Sequence, residues 1–220
     1  MSGGNTQLVF SSSFISHHIL GLTIDDAVGE ALDKTARLLN CSWSESGGLG
    51  RELEKFALSG KPVDLNIKSL GNCRDPLSFS FSGLKTALKK FILETNSSTS
   101  QNDLAATIQE TLFGHLVDRV KNCFEILEKC GQSVKTLSLI GGVASNKYLR
   151  NSLVKLCKEF DVALVSPEPK LCTDNAVMIG LAAEKIYSAS LYGELPLDFP
   201  NRIYPDWNLE ELNINKAILE

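Results

Sequence analysis

The stretch from Leu137 to Arg150 constrains the chain more than any other. Leu137, Leu139 and Ile140 form an apolar run that stops at Gly141-Gly142, and a helix-like segment starts after Asn146. A buried strand, a glycine turn and a helix start make a cradle. Its backbone N–H groups carry partial positive charge, and glycine lets a ligand come close. Phosphate or a nucleotide suits such a cradle, and the Asn146 amide adds a donor and an acceptor for a base or ribose. An ordinary strand-to-helix turn has the same outline, but two further loops of this kind occur along the chain.

The cradle leads into a helix over Lys147 to Lys158 and a second apolar strand over Asp161 to Ser166, with Val162, Leu164 and Val165 as its buried residues. Two apolar strands joined through a helix form a β-α-β unit, which implies parallel pairing and a sheet covered by helices. Cys172-Thr173-Asp174-Asn175 then opens a last long helix, with Ala176, Ile179, Ala182, Ala183 and Ile186 as the expected buried stripe. Thr173 or Asp174 belongs at its N-cap. An aspartate at the C-terminal edge of a parallel sheet is also where α/β proteins bind ligands. Beyond Gly193 the proline-rich tail reads as extended and docked by its aromatics.

Upstream, Ser2-Gly3-Gly4-Asn5-Thr6-Gln7 reads as a glycine turn running into a strand. A natural domain rarely opens inside a loop ready to bind something, so the chain is expected to be the back part of a longer protein. A short strand-like segment spans Phe14 to Thr23; its adjacent His17 and His18 would point to opposite faces and make a poor metal pair. Asp25 or Asp26 is expected to open a helix on which Asp26, Glu30 and Asp33 share one face. Three carboxylates in a row suit a cation or a set of hydroxyls, or else a solvated face offset by Lys34 and Arg37.

A polar loop over Cys41 to Gly50 carries Ser46-Gly47-Gly48 and leads to a helix over Arg51 to Leu58. Ser78 to Lys85 alternates hydroxyl and aromatic residues as a strand does. Lys85, Lys89 and Lys90 follow on a helix and form the best local basic patch, able to touch a phosphate backbone or simply to be solvated. From Asp103 the residues Leu104, Ile108, Leu112, Leu116, Val120, Phe124 and Leu127 recur at helical spacing, giving a core helix of about seven turns. His115 within it reads as packing.

Composition excludes several classes. A net charge of −4 offers no bulk attraction to nucleic acid, so a polyanion partner needs a local patch. The six cysteines show neither C-x-x-C spacing nor a partnering histidine, against both a zinc site and a disulfide framework. No apolar run is long enough to span a membrane.

Taken together, the loops at 2–7, 47–48, 141–146 and 173–175, ranged along one sheet edge, match the plan of the actin, hexokinase and Hsp70 type of nucleotide-binding lobe (ribonuclease H-like), an α/β fold with a mixed sheet covered by helices. More specifically, the chain resembles the C-terminal two-thirds of the tRNA threonylcarbamoyladenosine (t6A) synthesis transferases, once described as O-sialoglycoprotein endopeptidases. The matching stretches are Ser-Gly-Gly-Asn-Thr-Gln at 2–7, Asp-Asp-Ala-Val-Gly-Glu-Ala-Leu-Asp-Lys-Thr-Ala-Arg at 25–37, Ser-Phe-Ser-Gly-Leu-Lys at 80–85, the loop at 141–150 and Cys-Thr-Asp-Asn at 172–175. The tail around Trp207 is similar to the bacterial and organellar branch.

The resemblance implies transfer of a threonylcarbamoyl group from threonylcarbamoyl-AMP to the exocyclic amine of the adenosine beside the anticodon in ANN-decoding tRNAs. It assigns Ser2, Gly3 and Gly4 to the adenylate, Asp33 to the ribose hydroxyls, Gly48 to the back of the adenosine pocket and Asn146 to its opposite side. Asp174 becomes one ligand of an iron, zinc or magnesium ion. A metal and oriented donors would suffice, because the acyl group arrives already activated. Implied partners are tRNA, with Lys85, Lys89 and Lys90 as its contacts, and a second copy or other proteins of the t6A pathway. Mitochondrial residence is expected, with the cytoplasm as the alternative.

The family's metal is also held by a His-x-x-x-His segment ahead of the Ser-Gly-Gly loop, and none is present here. The expected organisation is therefore a second lobe over 1–192, with a helical insertion around 41–102 and a tail over 193–220, the first lobe being absent and the chain inactive alone. Ser46-Gly47-Gly48 also stands where bacterial relatives usually carry proline before the glycines, so the pocket's rim is expected to differ. A noncatalytic partner of a full-length relative and a kinase of the same fold are the competing readings. A metalloprotease lacks its His-Glu-x-x-His.

Overall fold

Thr6 and Asp25 show how distant parts of this chain are tied together. In the computed structural model, which describes residues 1–13, 16–43, 48–95 and 99–191, strand β1 (Gln7–Ser11) and strand β2 (His17–Leu22) form an antiparallel hairpin with a register shift at Leu8/Val9. The Thr6 hydroxyl, fully buried, accepts from Val28 N at 2.9 Å and so caps helix α1 (Val28–Leu38). Asp25 was expected to open that helix or to leave the role to Asp26, and neither caps it. Asp25 instead accepts from Phe81 N at 2.8 Å, Ser82 N at 3.3 Å and Ser80 Oγ at 2.6 Å, capping helix α3 (Ser82–Glu94) from 56 residues away.

Helix α2 (Gly48–Ala57), α3 and the long α4 (Gln101–Lys129) pack with α1 around one apolar core. The α4 periodicity is as the sequence implies: Ile108, Leu112, Leu116, Val120 and Phe124 are buried. Ser100 caps it, its hydroxyl accepting from Asp103 N at 3.1 Å. His115 is 6% exposed, set edge-on to Phe79 and Phe81, with Nε2 facing Ser80 N at 3.3 Å. Burial, reinforced by the Arg119 charge and opposed by Asp25, holds its pKa down at about 4. It is a packing histidine.

The strand expected over 78–85 is reduced to a parallel bridge between Thr23 and Phe79. Capping by Asp25 starts the helix at Ser82, and Phe79 and Phe81 drop into the core on either side of Ser80.

Strand β3 (Thr136–Ser138) pairs in parallel with β4 (Ala163–Val165), and helix α5 (Lys147–Glu159) joins them, as the β-α-β reading requires. β4 is not buried, however: Ala163 and Val165 are exposed. Nor is there one continuous sheet among the described residues; β1–β2 and β3–β4 are separate pairs. Helix α6 (Ala176–Leu191) differs most from expectation, since Ala176, Ile179, Ala182 and Ala183 of its anticipated buried stripe are exposed. The helix is apolar on nearly all sides, so its sequence favours no single face. Its cap is Asn175, whose Oδ1 accepts from Met178 N at 3.1 Å, not Thr173 or Asp174.

All six cysteines are free thiols. No described helix is long and apolar enough to cross a membrane. The tail at 193–220 and the Ser46-Gly47 pair lie outside the described residues.

Candidate functional site

The cradle forms where the sequence places it. Leu139 N donates to Val165 O at 2.8 Å, carrying the β3–β4 pairing one residue further, and Gly141 then turns the chain at φ 92° and ψ 169°. A 3-10 turn over Gly142–Ser145 follows, and Asn146 caps α5 by accepting from Leu149 N at 3.0 Å. The same amide donates Nδ2 to Gln109 Oε1 at 2.9 Å, and Asn146 is 8% exposed. Glu54 of α2 accepts from Lys147 N at 2.6 Å. Two of the N–H groups that opened α5 toward a phosphate are thus taken by protein, and the donors left to a ligand belong to the glycine turn before it.

The first residues wedge against this turn. Met1 donates its ammonium to Ile140 O at 2.9 Å and accepts from Val143 N at 3.3 Å. Ser2 Oγ accepts from Gly4 N at 3.2 Å and Asn5 N at 3.1 Å, folding the loop on itself, while Ser2 O accepts from Gly29 N at 3.2 Å. A β-carbon at Gly29 would lie 2.5 Å from that carbonyl, so only glycine lets α1 approach the loop. Gly3 and Gly4 remain open on the surface.

Asp33 lies one helical turn beyond Gly29 on the same face of α1. Burial raises its carboxyl pKa above the ordinary value, partly offset by Arg37, and it makes no hydrogen bond to a described residue. The rest of the acidic stripe is neutralised: Glu30 pairs with Lys34 at 2.6 Å, and Asp26, which precedes the helix, pairs with Lys34 and Lys85.

Arg150 ties the third loop to the cradle. Its guanidinium donates to Ala144 O, to Pro167 O at 2.8 Å and to Cys172 Sγ at 3.3 Å. The methyl group of the next residue, Thr173, lies 3.9 Å from where a β-carbon on Gly142 would sit. Asp174 follows, exposed. The loops of Ser2–Gly4, Gly141–Asn146 and Thr173–Asp174 therefore meet, with Asp33 a turn away.

Gly48 is less closely joined: it heads α2 at φ 65° beside Trp43, about 9 Å along the helix from Glu54. Lys85, Lys89 and Lys90 lie on α3. Lys85 is occupied by Asp26, Lys90 faces Glu94 at 3.9 Å, and Lys89 is exposed without an ion pair among the described residues.

The described residues do not make up a metal site. They contain no cluster of three potential ligands. Asp174 stands alone, His115 is committed to the core, and His17 bonds Ser11 Oγ at 2.8 Å. One carboxylate does not hold a transition metal tightly. Sequence reading missed Gln109, Glu54 and Arg150. Gln109 left no trace, since it stands among the equally polar Thr107, Glu110 and Thr111.

A family model described as tRNA N6-adenosine threonylcarbamoyltransferase matches residues 1–181. Proteins of that name are similar to this chain. The one from Staphylococcus epidermidis (strain ATCC 35984) is 37% identical over 207 residues, which are 92% of this chain and 58% of the relative. That from Staphylococcus carnosus (strain TM300) is 35% identical over 219 residues, 98% and 60% respectively. That from Rickettsia rickettsii (strain Sheila Smith) is 37% identical over 220 residues, 96% and 60%. The chain thus spans about 60% of the length of the curated relatives it matches.

Proposed function

The chain belongs to the tRNA N6-adenosine threonylcarbamoyltransferase family, and from this we propose that it carries the adenylate-binding part of an enzyme making t6A in ANN-decoding tRNAs. The observation that supports the reading best is the meeting of the Ser2–Gly4 loop with the Gly141 turn, through Met1 O and Val143 N. In this reading the adenylate phosphate lies against the N–H groups of Gly3, Gly141 and Gly142, Asp33 accepts from ribose hydroxyls, and Asn146 and Gly48 flank the adenosine. The pairs β1–β2 and β3–β4 belong to one lobe of the actin, hexokinase and Hsp70 type.

In the reaction, the adenosine N6 amine attacks the carbamoyl carbon of threonylcarbamoyl-AMP. A C–N bond forms, the bond from that carbon to the phosphate oxygen breaks, AMP leaves with the electron pair, and N6 loses a proton. The acyl group is already activated, so no serine or cysteine nucleophile is needed. Backbone donors at the glycine turns stabilise the charge that gathers on the leaving phosphate. The proposal includes a divalent metal with Asp174 as one ligand, and because no group of three potential ligands occurs among the described residues, it holds the 220-residue chain by itself to be inactive. tRNA reaches the site past Lys89. The compartment is mitochondrial, although the relatives compared are bacterial and lend that placement no support.

Calorimetry with a non-hydrolysable threonylcarbamoyl-AMP analogue, alongside mass spectrometry of tRNA treated with the purified chain, tests both parts. Analogue binding without modification is expected. Absence of binding sinks the assignment, and robust modification refutes the inactivity.

A second reading, a noncatalytic partner, is favoured by the exposed apolar face of α6, where Val177 is 71% and Ile179 65% exposed. Co-elution with a full-length relative, or with a second copy, on gel filtration supports it; a strictly monomeric profile in both cases removes it.

A further inference from the structure

We propose that Gln109 is the positioning residue through which the core helix α4 holds the Asn146 amide against the adenosine base. This rests on the adenylate assignment made above and divides the site in two: the glycine turns hold the phosphate, while Gln109, acting through Asn146, governs the base.

The bond between the two amides has one possible polarity. Leu149 N is a backbone donor and cannot reverse, so the Asn146 atom that faces it at 3.0 Å is Oδ1. Nδ2 is then the end left facing α4, and Gln109 meets it with Oε1 at 2.9 Å. Asn146 is thereby held at both ends of its amide, once by its own helix and once by a residue 37 positions away. Gln109 is 4% and Asn146 8% exposed. Leaving either amide unpaired at that depth is costly, so the pair keeps one orientation.

Gln109 is not explained by the needs of its own helix. The buried hydroxyls of Thr35 and Thr107 bond carbonyls of the helices that carry them, whereas the side-chain bond of Gln109 among the described residues goes to Asn146. Nor does the α5 cap require it, because Oδ1 reaches Leu149 N by itself. What Gln109 adds is the fixed direction of the Asn146 amide. The neighbouring contacts fasten the same helix end: Glu54 accepts from Lys147 N at 2.6 Å, and Glu110 accepts from the Tyr148 hydroxyl. The glycine turn has separate anchors, since Val143 N donates to Met1 O at 3.3 Å and the Arg150 guanidinium donates to Ala144 O. Loss of the Gln109 acceptor therefore disturbs the base side of the site and spares the phosphate side.

The test is an NMR titration of the full 220-residue chain with AMP and with ribose 5-phosphate, which has the sugar and phosphate without the base. Signals are read at the Asn146 side-chain amide and at the Gly141 and Gly142 N–H groups. In the parent, AMP is expected to shift both sets and ribose 5-phosphate the glycine signals alone. Gln109→Met keeps the side chain's length without the acceptor, and Gln109→Glu keeps an acceptor oxygen. The methionine variant is expected to bind AMP about tenfold more weakly with ribose 5-phosphate unchanged, and the glutamate variant to return to within about threefold of the parent. A purely structural Gln109 would weaken both ligands together. That result, or AMP binding that neither variant alters, overturns the proposal and leaves the adenylate assignment standing. Should the methionine variant not fold, the parent still decides: AMP that shifts the glycine signals and not the Asn146 amide overturns the proposal. A parent that binds neither ligand overturns the adenylate assignment and the proposal together.

Discussion

The carbonyl oxygen of Met1 lies 2.1 Å from the point a β-carbon on Gly141 would occupy. With φ at 92° and ψ at 169°, Gly141 also sits in a region open almost only to glycine. Gly141→Ala therefore suffers both a backbone clash and conformational strain, and is expected to destabilise the chain by about 3 kcal/mol or more. Gly142 is the control: its nearest neighbour is the Thr173 methyl at 3.9 Å, so Gly142→Ala should be neutral or gain up to about 1 kcal/mol. Urea unfolding separates the two. Equal effects would mean that the loops do not meet as described.

A second expectation concerns the amide pair under the cradle. Asn146→Ala removes the α5 cap and strands the buried Gln109 side chain, at a cost of about 2–3 kcal/mol. Asn146→Asp keeps the capping oxygen and adds a charge that a helix N-terminus favours. Gln109 can rotate its amide to donate instead of accept. The aspartate variant should thus lose under about 1 kcal/mol, and a loss equal to the alanine variant's would show that Gln109 is locked by other contacts.

What was legible in the sequence was whatever repeats or acts locally. The four-residue recurrence from Ile108 to Phe124 placed the core helix, and the apolar run broken by Gly141-Gly142 placed the turn. The caps that join the parts were not legible, because Thr6 reaches across 22 residues and Asp25 across 56. Asp25 stands directly ahead of a helix, where local rules assign it to α1, yet tertiary geometry gives it to α3. In α6 the reading failed for another reason: Val177, Met178, Ile179 and Leu181 are all exposed, and a helix apolar all round has no periodic signal to show which face is covered. Of the loops read from the sequence, those at 2–4, 141–146 and 173–174 meet while Gly48 lies apart, and Gln109, Glu54 and Arg150, which fix the loops, are ordinary polar residues of helices.

His115 predicts an acid-sensitive fold. Its pKa falls from an ordinary 6.5 to about 4 because burial, followed by the Arg119 charge, disfavours the imidazolium. The unfolded chain binds this proton first, so the contribution is complete above about pH 6.5 and drains away as pH falls toward 4, by up to about 3 kcal/mol. His115→Gln, which does not titrate, should flatten the urea midpoint between pH 7 and 4. An unchanged slope would assign the sensitivity to other groups.

Asp33 offers the sharpest separation of binding from stability. Burial raises its carboxyl pKa, and no described donor answers it, so ionisation at neutral pH opposes folding. An acid whose pKa is raised on folding costs stability above its unfolded value of 3.8, fully so once pH exceeds the raised one. Asp33→Asn relieves this cost while keeping size and shape. The group is only part-buried, so the gain should be small, up to about 0.5 kcal/mol at pH 7, and should vanish below about pH 3.5. Binding of a threonylcarbamoyl-AMP analogue should fall at least about tenfold in the same protein, because an amide accepts from ribose hydroxyls less strongly than a carboxylate. Calorimetry and urea unfolding on one preparation read both effects. A variant that loses stability without losing affinity would make Asp33 a structural residue and remove it from the ribose site.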